Sequence, residues 1–393
     1  MKFPKSANVP RGTSSFESFQ RILYWQHITL KMIGCDIFEI NFRVSFLTVF
    51  IIFLAVLFMV ISLINLYFFR DNIFNFTFVL VTFFYGVIGC GRLGFLLTHS
   101  KVSSKLVFEA KKTYELTSSG ASETKVLVKY TKMLQQCVVF FSIAFMLGVV
   151  LTAIMPLILF LWNGEKILPF GVILPFTDPN SVDGYQLNYL YQISCMLWTP
   201  PGLTASQNMY FALVFNICIQ YDLLILKLQA LNELICQNKG EIHDIKIRSK
   251  IIDIIESQQR LDNFVTTLEE LYATQVFIEV GSNALQIVMT LFVQHIDMWM
   301  PGYLILLIAT FQLFVSCFLG TLIDIKSELF TKAVYDISWH KMGKENQKTL
   351  KFMLAKSQCS LQLSCGGMMT LNMNLFLTVY KKIYSIFMML QNI

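Results

Sequence analysis

The stretch VSFLTVFIIFLAVLFMVISLINLYFF, residues 44–69, holds no charged side chain and is closed at both ends by arginine, Arg43 and Arg70. It is longer than the roughly 20 residues a helix needs to cross a bilayer core, so it reads as a membrane span. Six further apolar runs follow, at residues 74–97, 137–162, 188–226, 273–296, 302–323 and 366–390. Seven spans leave eight flanking segments. The first, third, fifth and seventh hold six, seven, six and seven Lys/Arg, or 26 of the 31 in the chain. The even segments hold only Arg70 and Lys166. Cytoplasmic loops collect positive charge. The sorting therefore predicts an N-terminus inside, a C-terminus outside and an odd number of crossings.

Composition supports a chain that uses lipid as its solvent. Of 393 residues, 55% are hydrophobic and 14% charged, against roughly 25% charged in a soluble domain. The expected class is an all-α membrane protein of seven transmembrane helices with a cytosolic helical anchor region. The net charge of +6 then describes orientation in a membrane, not a nucleic-acid partner. A polar, mixed N-terminal stretch with Lys2, Lys5 and Pro10 is not a signal peptide. The nine cysteines suggest no disulfide framework, and none falls in a predicted outer loop. Asn75-Phe76-Thr77 is a glycosylation sequon by pattern, abutting the second span.

The expected organisation is a cytoplasmic segment (1–43), four spans (44–226) with an outer loop at 163–187, and a cytosolic stalk (227–272). Spans five and six (273–323), a cytosolic helix and loop (324–365) and a last span (366–393) complete it. The fourth span is too long for one bilayer, so its inner end should project into the cytosol. Pro169, Pro175, Pro179 and Gly184 in the outer loop argue for an irregular lid. In the stalk, Ile247, Ile251, Ile254, Gln258, Leu261, Val265, Leu268 and Tyr272 step by alternating fours and threes. That heptad stripe fits packing against helices of the same chain or at a subunit interface. A helix at 326–340 would place Tyr335 and Trp339 on one face.

The search for catalytic chemistry is negative. Five scattered histidines form no metal-binding pair, and Gly89-Cys90-Gly91 leads into no phosphate-binding helix start; small residues there suit close helix packing. No enzyme activity and no cofactor are expected. No internal repeat supports a transporter plan. Arg92, near the inner end of span two, is expected to snorkel to the cytosolic interface. Asp222 and Glu279 are expected to pair with cytosolic cations. Lys381 and Lys382 sit in the middle of the last span, so at least one must face protein, water or a polar partner.

Two spans are interrupted. Pro156 breaks span three and Pro200-Pro201-Gly202 breaks span four, so their outer halves are expected to splay. Around this depth lie Phe84, Tyr85, Phe145, Gly148, Thr152, Cys195, Trp198, Thr199, Tyr303 and Thr310. Such a set, mainly apolar with a few hydroxyls, fits a pocket for a small hydrophobic ligand, and equally fits ordinary helix packing.

The end of the chain carries a more specific pattern. Tyr335 and Trp339 are followed by Gly366-Gly367, by Asn372 and Asn374, and by Val379-Tyr380-Lys381-Lys382-Ile383-Tyr384-Ser385 with an apolar end. This resembles the signature of insect odorant receptors. The gustatory receptors, a related family, end in a different pattern, with Thr where Ile383 stands and Phe where Asn392 stands. The resemblance implies a tetrameric ligand-gated cation channel, in which a ligand-tuned subunit joins the odorant co-receptor in the plasma membrane of an olfactory neuron. It implies a small volatile hydrophobic ligand held among spans two, three, four and six. It further implies a pore lined by the seventh helix, with Phe387, Leu390 and Gln391 in its narrow part, and cytosolic helices holding subunits together. Permeating cations and membrane lipid complete the implied partners. Lys381 and Lys382 should then face sideways or into a wet vestibule, partly neutralised by a carboxylate. A G-protein-coupled receptor would need an outside N-terminus, opposite to the charge sorting.

Overall fold

A computed structural model describes the chain except residues 1–13, 36–43, 118–119, 165, 167, 180, 238–240, 297–299, 360 and 392–393. The described residues are almost entirely helical. In chain order they form α1 (Ser14–Met32), α2 (Phe46–Phe68), α3 (Ile73–Thr98), α4 (Ser100–Leu116), α5 (Ala121–Asn163), α6 (Val182–Gln237), α7 (Glu241–Ile296) and α8 (Met300–Tyr335). There follow α9 (Lys344–Gln358), a hairpin of β1 (Ser364–Cys365) and β2 (Met369–Thr370), and α10 (Met373–Leu390). Local chemistry sets several starts. Ser45, Asn72 and Asn372 cap α2, α3 and α10, each accepting a hydrogen bond from the backbone N–H three residues on.

Among the described residues, six helices are long and apolar enough to cross a membrane: α2, α3, α5, α6, α7 and α8. Apolar side chains that stay exposed on α2 (Phe50, Phe53, Val56) and α5 (Phe140, Ile143, Leu147) suit contact with lipid. α10 stands apart. Its 18 residues rise about 27 Å, a little under the roughly 30 Å hydrocarbon core, and two of its central residues are lysines.

α6 is the axis of the fold. Its 56 residues span about 84 Å, in keeping with a long fourth helix that outruns the bilayer. Every residue from Leu203 to Ile219 is buried, because α1, α3, α4, α5, α7 and α8 all pack on this helix. A helix apolar or small on every side is stable only when enclosed in this way.

Several expectations change. The heptad stripe is resolved in favour of the same chain: Ile247, Ile251, Ile254, Gln258, Leu261, Val265, Leu268 and Tyr272 are all buried within one subunit, on a helix packed against α6, α8 and α9. The stripe is therefore not a free surface for a second subunit. The prolines break nothing, since α5 runs through Pro156 and α6 through Pro200 and Pro201. Proline removes one N–H from the helix ladder but leaves its φ helical, so the helix can continue through it. The sixth span and the next helical piece are one helix, α8, which ends at Tyr335. Trp339 opens a separate 3-10 turn, so it does not share a helical face with Tyr335.

The last helix starts at Met373, not at 366. Gly366 and Gly367 form the hairpin turn with φ of 65° and 73°, values open to glycine and costly for residues bearing a Cβ. The hairpin is pinned from both sides. Gly366 donates its N–H to the Ala273 carbonyl on α7 at 3.1 Å, and Ser364 donates both its N–H and its hydroxyl to Glu269. On α8, a Cβ at Gly320 would meet the Leu371 carbonyl oxygen at 1.8 Å, so only glycine fits that approach.

Candidate functional site

Two cavities lie in the helical bundle. The larger, a slot of about 130 Å³, is bounded by α2, α3 and α6, with Phe170 of the outer loop at one end and Ile33 after α1 at the other. The smaller, a chamber of about 70 Å³, lies among α3, α5, α6, α7 and α8. Tyr85, Phe170 and Thr199 line both and form the wall between them.

The sequence-derived residues divide among these spaces. Tyr85, Cys195, Trp198 and Thr199 line the slot. Tyr85, Phe145, Gly148, Thr152 and Thr199 line the chamber. Phe84, Tyr303 and Thr310 line neither. The Phe84 ring meets Phe83 edge to face, Tyr303 is 54% exposed, and the Thr310 hydroxyl hydrogen-bonds that of Tyr380 on α10. The Thr152 hydroxyl donates to the Gly148 carbonyl and that of Thr199 to the Cys195 carbonyl, so each spends its proton on its own helix.

Two polar residues of the chamber were not singled out from the sequence. Gln286 and Gln312 both reach its lining, and the buried Nε2 of Gln312 has no hydrogen-bond partner among the described residues. An uncompensated buried amide is costly, and an acceptor on a bound molecule would satisfy it. The only sequence signal for the pair was an amide among apolar neighbours in two spans.

Arg92 overturns its expected role. It does not snorkel: its side chain is 3% exposed. Its Nε donates to one carboxylate oxygen of Glu279 at 2.7 Å and its Nη2 to the other at 3.0 Å, a two-pronged pair. Nη2 also reaches the Gln207 carbonyl oxygen at 2.8 Å, and Nη1 the backbone carbonyl of Leu203 at 3.1 Å. Gln275 donates to the same carboxylate at 2.7 Å. The expectation that Glu279 pairs with a cytosolic cation thus fails, because charges buried in a low-dielectric interior must find a partner at the same depth. Asp222 does follow its expectation: Lys326 lies 2.6 Å away, and the Tyr130 hydroxyl donates to its other oxygen at 2.8 Å.

The final helix is tied to the chamber's neighbours. Besides the Thr310–Tyr380 bond, Phe314 of α8 meets Phe376 edge to face, and Phe376 lies 4.8 Å from Tyr380. Near the other end of α10, Gln391 lies 3.3 Å from a ring nitrogen of His295 on α7, and the Phe387 ring faces the same histidine. Leu390 packs against the main core. Lys381 and Lys382 are exposed on this single chain, and the expected carboxylate neighbour is not found among the described residues.

The helical order, the Gly-Gly hairpin and the short C-terminal helix meet a decisive match. The family model described as 7tm Odorant receptor covers residues 109–384. The chain belongs to the 7tm odorant receptor family. Its curated odorant receptor relatives are insect proteins of low identity. The putative odorant receptor 83c of Drosophila melanogaster is 22% identical over 253 residues, 62% of this chain and 64% of that one. Odorant receptor 30a of the same fly is 24% identical over 246 residues, 59% of this chain and 61% of that one. The chain thus spans less than two thirds of the length of either relative. Among solved structures, the insect olfactory receptor OR5 from Machilis hrabei in complex with eugenol superposes with a TM-score of 0.80 at 13% identity, over 96% of this chain and all of that one. At that identity the likeness is one of fold, and it extends the odorant receptor architecture over nearly the whole chain.

Proposed function

We propose that this odorant receptor is a ligand-tuned subunit of an odorant-gated, non-selective cation channel formed with the odorant co-receptor in the plasma membrane. On this reading the chain crosses seven times, with its N-terminus cytoplasmic and α10 as the seventh, pore-lining helix. The supporting observation is the direct hydrogen bond from Thr310 to Tyr380, one residue from Ala309 and two from Gln312 in the chamber lining. A small apolar molecule in the chamber, seated against Phe145, Gly148 and Thr152 and anchored by Gln312, would press on the helix that holds α10. Binding shifts the channel only through contacts that differ between its closed and open states. Apolar burial supplies roughly 25 cal/mol per Å², and the amide fixes orientation.

Phe387, Leu390 and Gln391 would form the narrow part of the pore. An apolar ring gates by dewetting, and an amide lets ions shed water stepwise. Lys381 and Lys382 lie one to two turns from Phe387, so each copy of this chain would add positive charge to the vestibule below the ring. The experiment is current recorded from cells expressing the chain with its co-receptor while G-protein signalling is blocked. Odorant-evoked current is expected, and Gly148→Ala should weaken it, since a Cβ there meets Ile308 at 3.1 Å. Silence across a broad odorant panel, with the subunits at the cell surface, rejects the reading.

A further inference from the structure

The slot is a second site, distinct from the chamber and independent of any pore or partner. Apart from Phe170, its walls come from α2, α3 and α6 and the turn after α1, whereas α5 and α8, which carry most of the chamber, contribute nothing to it. Its α3 lining runs from Tyr85 to Leu96, about 17 Å along the axis. A volume of about 130 Å³ drawn out over that length is a narrow channel. For scale, an engineered apolar cavity of about 150 Å³ binds benzene.

Besides the Cys90 and Cys195 thiols and Thr199, whose hydroxyl proton goes to the Cys195 carbonyl, the walls are apolar except at three places. Tyr85 and Trp198 line the slot, and among the described residues neither the phenol nor the indole N–H takes part in a hydrogen bond. The third is Arg92, which also lines the slot. A guanidinium has five N–H groups, and the bonds to Glu279, Gln207 and Leu203 use four. The fifth, on Nη1, is uncommitted. The indole and the guanidinium can only donate, and the phenol can donate as well as accept, so the slot favours an acceptor. The charge of Arg92 is already matched by Glu279 at 2.7 Å. An anion would therefore lose its hydration here without gaining a net countercharge, while a neutral carbonyl loses little and gains a charge-assisted bond.

We infer that the slot binds a narrow, neutral chain molecule carrying one carbonyl, with the chain along α2 and α3 and the oxygen toward Arg92. A straight-chain ketone or ester has this chemistry, and so does the ester end of a lipid acyl chain.

The test is photolabelling of the full-length chain, purified with its co-receptor, by a straight-chain methyl ketone carrying a diazirine. Label is expected on the α2 segment Ile51–Phe58, which borders only the slot. Nonan-2-one should compete about tenfold better than nonane, the worth of one hydrogen bond to a charged donor, and nonanoate should compete no better than nonane. Gly89→Val should abolish the α2 label, because Gly89 lines the slot and a Cβ there has open space. Gly148→Ala should leave it in place. Label that appears only on α5 and α8, or that survives Gly89→Val, overturns the second site. Equal competition by nonane overturns the role of Arg92. Suppression by added phosphatidylcholine assigns the slot to an acyl ester, and its absence to a free carbonyl compound; both keep the proposed chemistry. None of these readouts depends on current, so a failed channel reading leaves the outcome intact.

Discussion

The two halves of α6 obey different rules. Below Gly202 the helix is buried for seventeen consecutive residues, Leu203 to Ile219; Gln207 there bonds Arg92 on α3, while the Asn216 amide and the Tyr210 hydroxyl have no hydrogen-bond partner among the described residues. Above Gly202 the same helix is exposed at Leu187, Leu190 and Leu197 and borders both cavities through Thr199. The lower half is a foundation, where packing decides stability. The upper half leaves space beside it, and there the proposed ligands would bind. The Arg92–Glu279 pair sits at the junction and closes the foundation beneath the slot.

The sharpest way to break this division is to strip one charge from the junction. Glu279→Leu leaves Arg92 buried without its countercharge, and a loss of roughly 3–5 kcal/mol is expected, read as a lowered melting temperature of the purified protein. Replacing both partners, Arg92→Met with Glu279→Leu, should recover much of it. If the single variant unfolds no earlier than the wild type, the junction carries no weight.

In the foundation, Leu213→Ala removes a fully buried side chain and is expected to cost about 2–5 kcal/mol, with odorant selectivity among surviving channels unchanged. In the upper half the effects should reverse. Gln312→Leu removes a buried amide that lacks a partner, so stability should hold or rise by up to about 1 kcal/mol. Sensitivity to odorants bearing an acceptor should fall about five- to tenfold in dose–response recordings, and sensitivity to pure hydrocarbons should not.

The smallest effect belongs to the surface where α9 meets α7. Lys356 lies 3.5 Å from Asp262 and is 58% exposed. Burial raises the Asp262 pKa above its ordinary value, and Lys356 pulls it back. A folded pKa above the unfolded one favours folding only while the acid is protonated, and the benefit is lost as pH rises through the folded value. Lys356→Ala raises that value further. Its cost, under about 1 kcal/mol, should therefore appear at neutral pH and fade as pH falls through the raised folded value, since the unfolded acid is the same in both proteins. Thermal melts at two pH values check this.

Much of this was legible along the chain. The apolar runs became helices, the fourth outran one bilayer as expected and ran longer than residues 188–226, and the C-terminal signature led to the right family. Asp222 found its cation because Lys326 lies at the same level of the helix ends. Other readings failed for definite reasons. A heptad stripe states that a face is buried, not by whom, and α6, α8 and α9 claimed it. Gly366-Gly367 read as the start of a helix, although two positive-φ residues make a better turn. Seven of the ten pocket residues line a cavity, while Phe84, Tyr303 and Thr310 lie at the expected depth but turn elsewhere, since depth is set by sequence position and facing by packing.

Hydropathy and charge are sums over neighbouring residues, so the sequence by itself determined the apolar helices and the alternation of basic and non-basic segments between them. Contacts between distant residues are not such sums. Arg92 and Glu279 are 187 positions apart, and Thr310 and Tyr380 are 70 apart. Only the tertiary structure decided that the first pair is a buried bridge and the second a link to the last helix. It also decided that the space between the helices divides into two, because a cavity is what packing leaves unfilled and no single segment encodes it.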